Sequence, residues 1–233
     1  EFRRVLFRST PDQKTVSSFE SFELLSEEDV RSLIKSMPTK SCELDALPTQ
    51  LLKDILDSIL TPITHLVNTS LQNGVFPLKW KEAIIRPLIK KAGLDLVHKN
   101  FRPVSNLSFL SKVVEKAVLL QLNKHCDANK LMPEYQSAYR SFHSCEMAVI
   151  KLINDLLWNM EHQKLTIIMA TDLTAAFDTV DFDITLNVLE KWYGVGGIVK
   201  SWFDSYLRPR FCRDRKSTRL NSSHQIISYA VFC

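Results

Sequence analysis

Residues 167–183 read IIMATDLTAAFDTVDFD, a short apolar run that ends in an acid and is followed by three more acids within eleven residues. The segment 165–171 is rich in β-branched residues and flanked by polar ones, which predicts a buried β-strand. Asp172 would lie at the carboxyl end of that strand, where a carboxylate is costly to bury unless a metal ion or a donor pairs with it. Mg²⁺ sites that handle phosphates commonly use one or two such carboxylates. On this motif alone, an Asx-turn or capping role for Asp172 is favoured over metal binding.

The residues after Asp172 predict the start of a helix and a flat apolar surface. Asp178, Asp181 and Asp183 fall where the next helix should begin. An acid at that position accepts hydrogen bonds from unpaired backbone N–H groups, so an N-cap role for one of them is favoured over metal binding. The ring of Phe177 could lie beneath a bound sugar.

Length and composition indicate one large helix-rich domain or two small ones. The chain has 233 residues, of which 45% are apolar and five are glycine. It contains no apolar run near the ~18 residues needed to span a membrane, and its first residues lack an apolar stretch long enough for a signal peptide. Five scattered cysteines without a C-x-x-C pair favour reduced thiols and an intracellular location. No targeting signal distinguishes nucleus from cytoplasm.

The two ends of the chain are predicted to be artefacts. Residues 1–9 and 214–233 can be back-translated into DNA strings that are largely reverse complements of each other, and both strings resemble sequencing-library adaptor DNA. An ordinary basic tail is the alternative interpretation. We exclude both segments from the prediction of the fold.

Removing the ends changes the charge argument. Residues 10–213 have a formal net charge of zero, so the basic isoelectric point of the whole chain does not predict a nucleic-acid partner. The distribution is uneven, because residues 79–140 carry twelve basic and five acidic side chains. Such a basic middle suits a polyanion held beside metal ions, and a solvated basic face is equally compatible with it.

Apolar periodicity predicts most of the secondary structure. The S-x-x-D spacing of Ser26 to Asp29 predicts a helix start, and Pro38 ends that helix. The segment 82–90 is rich in β-formers but contains Pro87, which indicates an edge strand or hairpin arm. Further helices are predicted at about 48–73, 107–126, 144–161, 182–193 and 196–207.

Several motifs in series carry a family resemblance. In order they read LPTQLLKDIL, FPLKWKEAIIRPLIKK, NFRPVSNLSFLSKVVEK, QSAYRSFHS, TDLTAAFDTVDFD and YGVGGIVKSWFDSYLRPR. Together, over residues 22–211, they closely resemble the reverse transcriptase of non-LTR retrotransposons, jockey-like elements especially. By this resemblance TDLTAAFD is the first catalytic motif of a polymerase palm.

The resemblance implies an α+β fold in several parts. Residues 10–36 would form an N-terminal arm and first helix, and the polar composition of residues 10–22 independently predicts a loose arm there. Residues 37–162 would form helix-rich fingers, and residues 163–213 an incomplete palm with its first strand and helices.

The resemblance also assigns roles around the catalytic motif. Asp172 would bind two Mg²⁺ ions, and the backbone carbonyl of Leu173 would help to hold the second ion. Phe177 would exclude a ribose 2′-hydroxyl and so favour deoxynucleotides.

Four polar side chains would surround the substrates. Arg102 and Lys90 would meet the incoming triphosphate, for which the planar guanidinium of arginine is well suited. Gln136 and Arg140 would lie beside the template or the nucleotide. Solvated hairpin charges are an equally good interpretation of Lys90 and Arg102, as is a packing role for Gln136.

The family activity is RNA-templated DNA synthesis by a nucleotidyltransferase, with an RNA template, a DNA primer and deoxynucleotides as partners. A palm also needs a second acidic motif, normally an Asp-Asp pair, and this chain contains no such pair. We therefore predict that the polypeptide is inactive by itself.

The alternative functions are a non-catalytic nucleic-acid-binding remnant and an unrelated Mg²⁺-dependent phosphotransferase. The oligomeric state is not predicted.

Overall fold

The computed structural model describes residues 17–97, 100–171, 179–213 and 219–221. These residues have an α+β fold that is mostly helical, with one small sheet. The helices are α1 (Glu27–Ser36), α2 (Thr49–Asp54), α3 (Leu56–Asn73), a 3₁₀-helix (Leu78–Lys81), α4 (Phe109–Ala128), α5 (Cys145–Glu161), α6 (Phe182–Tyr193) and α7 (Gly197–Leu207). The strands are β1 (Glu82–Ile89), β2 (Phe101–Asn106), β3 (Phe211–Arg213) and β4 (Arg219–Asn221).

Local sequence signals placed most helices correctly. The predicted capping box of α1 is present, since the Asp29 backbone N–H donates to Ser26 Oγ at 3.1 Å and the Ser26 N–H donates to the Asp29 carboxylate at 2.9 Å. The predicted helix over 48–73 is present as α2 and α3, which are interrupted at Ile55. The helices predicted at 107–126, 144–161, 182–193 and 196–207 are confirmed.

The core lies between α1, α3, α4 and α7. In each helix the buried side chains recur every three or four residues, so that one face is apolar and points inward. The buried apolar side chains of this core are Phe22, Val30, Leu33, Ile34, Leu52, Leu56, Leu60, Ile63, Val67, Leu71, Phe76, Phe109, Val113, Val114, Ala117, Val118, Val195, Val199, Trp202 and Tyr206.

Trp202 on α7 is the centre of an aromatic cluster in this core. Its ring meets Phe76 edge-on at 5.5 Å and Phe22 edge-on at 6.0 Å, and it stacks on Tyr206 at 5.1 Å. Its indole N–H donates to Ser70 Oγ at 3.1 Å, which satisfies the polar edge of a side chain that is otherwise fully buried. The cluster therefore joins α7 to α3 and to the segment that follows α3.

Gly74 ends α3 and lies close to α7. Its backbone is left-handed, with φ of 64°, and a Cβ atom at this position would lie 2.8 Å from the carbonyl oxygen of Ile198. The close approach of the two backbones therefore depends on the absence of a side chain as well as on the left-handed conformation.

We expect Gly74→Ala to destabilise the fold by about 2 kcal/mol or more, because strain and a backbone clash add together. Gly93→Ala is the matched control: Gly93 also has a positive φ, of 83°, but a Cβ atom there would meet nothing within 4 Å. It should cost about 1 kcal/mol. Urea unfolding of both variants measures the difference, and equal losses of stability would contradict the proposed contact.

The sheet has the strand order β2-β1-β3-β4. β1 and β2 form an antiparallel hairpin, and β3 runs parallel to the first residues of β1, from Glu82 to Ile84. The hairpin arm predicted at 82–90 is confirmed. Pro87 faces Pro103 beyond the end of β3, so both prolines stand where the ladder needs no N–H from either strand.

The predicted buried strand at 165–171 is wrong. The described part of this segment has no regular secondary structure, and Leu165 and Ile167 are 91% and 78% exposed. A strand needs hydrogen bonds from a neighbouring strand, and within the described residues the sheet is formed elsewhere. The β-propensity of the segment is therefore not sufficient to form a strand.

α5 also lies apart from the core. None of its side chains is buried among the described residues, although the helix is rich in apolar residues. Contiguous apolar surface of this kind favours association with other molecules. The helix prediction at 144–161 was correct, but it gave no indication that the apolar side chains of α5 would be exposed.

Candidate nucleotide-binding hairpin

The β1–β2 hairpin presents two of the predicted site residues on one face. Its register pairs Leu88 with Arg102 and Ile89 with Phe101. The ladder continues by one further bond, because the Lys90 backbone N–H donates to the Asn100 carbonyl at 2.8 Å. Directly opposed residues share a face and alternate residues return to it, so Lys90 and Arg102 lie on the same face as diagonal neighbours.

This face is solvent-exposed at its outer end and anchored at its base. Lys90 and Arg102 are both exposed, whereas Ala83 and Ile84 at the other end of β1 are buried. Arg86 lies between these ends on the same face and pairs with Glu43. The hairpin therefore carries two cationic side chains away from the core, an arrangement that is suitable for binding an anion such as a phosphate.

Gln136 and Arg140 lie in the loop between α4 and α5. The Gln136 amide donates to the Ala138 carbonyl at 3.3 Å, and an Arg140 guanidinium N–H donates to the Pro133 carbonyl at 3.4 Å. Both side chains therefore support their own loop. In the same loop Phe142 has a φ of 61° and is 97% exposed.

The catalytic motif itself is not described. Asp172, Leu173 and Phe177 lie outside the described residues, as does Asp178. Among the described residues, no group of three or more His, Cys, Asp or Glu side chains could hold a metal ion. The roles predicted for Asp172, Leu173 and Phe177 remain predictions.

The acids that follow the motif have structural partners. Asp181 is the N-cap of α6, and its carboxylate accepts the Ile184 backbone N–H at 2.9 Å, so the N-cap prediction is confirmed for this residue. Asp183 accepts a hydrogen bond from the Arg208 guanidinium at 2.8 Å, and this bond lowers the pKa of the Asp183 carboxyl. The Arg208 guanidinium also donates to Asp204, so it connects the start of α6 to the end of α7.

Glu115 is a buried acid that the sequence analysis missed. It lies on α4 with 5% of its surface exposed, and neither carboxylate oxygen makes a hydrogen bond of normal geometry. Burial raises the pKa of its carboxyl to about 7, an effect that the nearby Arg210 guanidinium and the hydroxyls of Tyr206 and Ser111 partly offset. Glu115 lies one turn from Ser111 and from the buried Val118, on a face of α4 that is mostly apolar. A charged residue on such a face is a sequence signal for a buried acid.

Lys81 is a second buried charge that the sequence analysis missed. Its ammonium donates to the Arg208 carbonyl at 3.2 Å. Burial, followed by the like charge of Arg210, lowers the pKa of the Lys81 ammonium. Lys81 directly precedes β1 and Arg210 directly precedes β3, so the parallel pairing of these strands brings the two cations together.

A family model described as "Reverse transcriptase (RNA-dependent DNA polymerase)" matches residues 89–229. The chain belongs to the reverse transcriptase family. The match includes Lys90, Arg102 and the segment that holds Asp172, and it confirms the resemblance inferred from the motifs. It also runs into residues 214–229, whose origin as adaptor sequence stays a prediction.

Three relatives of this chain come from mobile elements. The probable RNA-directed DNA polymerase from transposon BS of Drosophila melanogaster is 27% identical over 180 residues, which cover 76% of this chain and 20% of that protein. The RNA-directed DNA polymerase from mobile element jockey of the same species is 29% identical over 154 residues, covering 66% of this chain and 17% of that protein. The transposon TX1 uncharacterized 149 kDa protein of Xenopus laevis is 29% identical over 167 residues, covering 71% of this chain and 12% of that protein.

These relatives confirm the predicted resemblance to the reverse transcriptase of non-LTR, jockey-like retrotransposons. They also show that the chain spans about a fifth or less of the length of these relatives. None of the helices in the described part of the chain is long and apolar enough to cross a membrane.

Proposed function

We propose that this chain supplies the fingers and the first catalytic motif of an RNA-directed DNA polymerase. In this proposal the β1–β2 hairpin binds the triphosphate of the incoming deoxynucleotide through Lys90 and Arg102. The observation that supports it most directly is the register of the hairpin, which puts both cations on one exposed face. RNA template and DNA primer are the other proposed partners.

The hairpin would act by charge and by position. The Arg102 guanidinium would donate two parallel hydrogen bonds to phosphate oxygens, and the Lys90 ammonium would add a second positive charge beside them. Both groups stand on a strand pair whose base is buried, so little ordering would be needed when the anion binds.

We place the catalytic centre at Asp172. Its carboxylate and the Leu173 carbonyl would hold Mg²⁺, which would orient the reacting oxygens and stabilise the charge that develops on them. Phe177 would select deoxyribose by steric exclusion of a 2′-hydroxyl. Gln136 and Arg140 would contact the template or the nucleotide from the loop between α4 and α5.

A single motif carboxylate does not provide the two-metal geometry that nucleotidyl transfer requires. Because the sequence contains no Asp-Asp pair, we propose that this 233-residue polypeptide binds substrates but does not extend a primer by itself.

Arg102→Ala tests the role of the hairpin. We expect it to weaken the binding of a deoxynucleoside triphosphate by about tenfold or more, because a charge-assisted bidentate contact to phosphate is lost. Fluorescence anisotropy with a labelled deoxynucleotide in the presence of Mg²⁺ measures the change.

Lys130→Ala is the matched control for Arg102→Ala. Lys130 is an exposed cation of the same basic segment that follows α4 and is not part of the hairpin. It should bind the nucleotide like the wild type. Equal affinities for the wild type and Arg102→Ala would contradict the proposed contact.

The second candidate is a nucleic-acid-binding remnant without a nucleotide site. The excess of basic residues in the segment 79–140 favours it. In that case the chain would bind single-stranded RNA with an affinity that falls steeply with salt, and it would not discriminate between deoxynucleotides and inorganic triphosphate. Selective binding of deoxynucleotides would exclude this candidate.

A further inference from the structure

Residues Ser17–Leu25, here called the N-terminal strap, form an extended segment that crosses the helical core. The strap precedes the family-matched range, which begins at residue 89. The sequence analysis predicted a loose arm over 10–22, and this prediction is wrong for residues 17–22. The reason is a set of hydrogen bonds that join the backbone of Phe19 and Glu20 to the backbone between Gly194 and Ile198, and side-chain amides from α3 and α4 bind the residues that follow.

Two side-chain amides bind the strap in the way that a neighbouring strand would. The Glu23 N–H donates to Gln121 Oε1 at 2.8 Å, and the Gln121 amide donates back to the Glu23 carbonyl at 2.9 Å. The Leu25 N–H donates to Asn68 Oδ1, and the Asn68 amide donates back to the Leu25 carbonyl, both at 2.9 Å. Each amide therefore satisfies one donor and one acceptor of an extended backbone, which is the pattern of a β-ladder.

The other end of the strap is bonded to the turn between α6 and α7. The Phe19 N–H donates to the Gly194 carbonyl at 2.8 Å, and the Gly196 N–H donates to the Phe19 carbonyl at 3.0 Å. The Ile198 N–H donates to the Glu20 carbonyl at 2.9 Å. These bonds reach the first N–H groups of α7, which have no partner inside the helix.

The contact between the strap and this turn is close. A Cβ atom on Gly197 would lie 2.8 Å from the Glu20 carbonyl oxygen. The Phe19 ring stacks on His125 of α4 at 5.0 Å, and the Phe22 ring meets Trp202 of α7 edge-on at 6.0 Å. Side chains of the strap thus pack on α4 and on α7 while its backbone is held by α3, α4 and the turn.

We propose that the strap is a positioning element that fixes the α6–α7 turn against α3 and α4, with Gln121 and Asn68 as its anchors. α6 begins shortly after the segment that contains Asp172, so the strap sets where the helix that follows the catalytic motif lies relative to α3 and α4, the helices on either side of the hairpin. The contacts above support the packing of the strap against the turn, α3 and α4. Its consequence for catalysis rests on the proposed function.

Amide hydrogen exchange of the full chain, followed by NMR, tests the proposal. In Gln121→Glu and Asn68→Asp an amide N–H₂ is replaced by a carboxylate oxygen that faces a carbonyl, so each anchor loses a donor and gains repulsion. We expect the amides of Gly196 and Ile198 to exchange about tenfold faster in either variant, because their acceptors are carbonyls of the strap. The amides of α1 should keep their wild-type rates, since a merely global loss of stability would accelerate them too.

Gln72→Glu is the control, because it makes the same chemical change on an exposed position of α3. It should leave the exchange of Gly196 and Ile198 unchanged. Wild-type protection of these two amides in both anchor variants would overturn the proposal. Equal acceleration of amide exchange in α1 would also overturn the proposal.

A measurement on the unmodified chain covers the case in which the anchor variants fail to fold. If the strap and the turn form one unit, the amides of Phe19, Gly196 and Ile198 open together and give the same free energy of opening. Protection of Gly196 and Ile198 that far exceeds that of Phe19 would overturn the proposal. Exchange needs no nucleotide, so this result is independent of whether the hairpin binds a triphosphate.

Discussion

Replacing Trp202 with alanine is expected to destabilise the chain by about 3–5 kcal/mol, the range for removing a large aromatic side chain from a core. The substitution removes the ring that contacts Phe22, Phe76 and Tyr206. It also leaves Ser70 Oγ without the indole N–H that donates to it. Because a domain of this size has a total stability of about 5–15 kcal/mol, the variant should be largely unfolded at modest urea concentrations.

Trp192→Ala is the control for Trp202→Ala. Trp192 is on α6 and its side chain is 44% exposed, so its removal should cost about 1 kcal/mol or less. Urea unfolding monitored by circular dichroism compares the two. A Trp202→Ala chain as stable as the Trp192→Ala chain would show that α7 does not pack on α3 as described.

Glu115 should make the stability of the chain depend on pH. The pKa of its carboxyl is raised from 4.5 to about 7, chiefly by burial. The folded state therefore holds a proton that the unfolded state releases between these values, so stability is greatest below pH 4.5 and declines as the pH rises towards 7. Over this window the loss is about 3 kcal/mol as an upper bound.

Glu115→Gln should remove this dependence, since glutamine has a similar shape and cannot ionise. We expect the unfolding free energy of the wild type to fall between pH 5 and pH 8 more steeply than that of the variant. Glu190→Gln is the control, because Glu190 forms a half-exposed pair with Lys200 at 2.7 Å and should leave the wild-type slope intact. Identical pH profiles for the wild type and Glu115→Gln would contradict the burial of the Glu115 carboxyl.

Features that depend on neighbouring residues were predictable from the sequence. The capping box of Ser26 and Asp29 and the N-cap of Asp181 each involve residues within four positions of one another, so a short motif contains all the relevant chemistry. The hairpin arm at 82–90 was predicted for a similar reason. The register that brings Lys90 and Arg102 to one face was not predicted, because it depends on pairing across the intervening turn.

Features that depend on distant partners were not predictable in this way. The segment 165–171 has strand propensity but no neighbouring strand among the described residues, so propensity alone gave the wrong structure. Residues 17–22 of the strap were predicted to be loose because the segment is polar, and the backbone groups that bind Phe19 and Glu20, between Gly194 and Ile198, lie far along the chain. Glu115 was missed because its burial depends on Tyr206 and Arg210, which lie far along the chain, and its place on the buried face of α4 was the one local signal.

The resemblance and the structure support different parts of the account. Motif order and the family match identify a reverse transcriptase, and they extend over the segment that contains Asp172. The structure describes the hairpin, the helical core and the strap, which lie before or after the segment that contains Asp172. Binding of the triphosphate by the hairpin face that carries Lys90 and Arg102 connects the family assignment to the structure.

Photocrosslinking tests this binding most directly. A deoxynucleoside triphosphate with a photoreactive group on its γ-phosphate would be irradiated with the full chain, and the labelled peptide identified by mass spectrometry. The account predicts labelling within residues 82–106 that is lost in a Lys90→Ala, Arg102→Ala double variant and retained in Lys130→Ala. Labelling outside this hairpin, or labelling that persists unchanged in the double variant, would contradict the account.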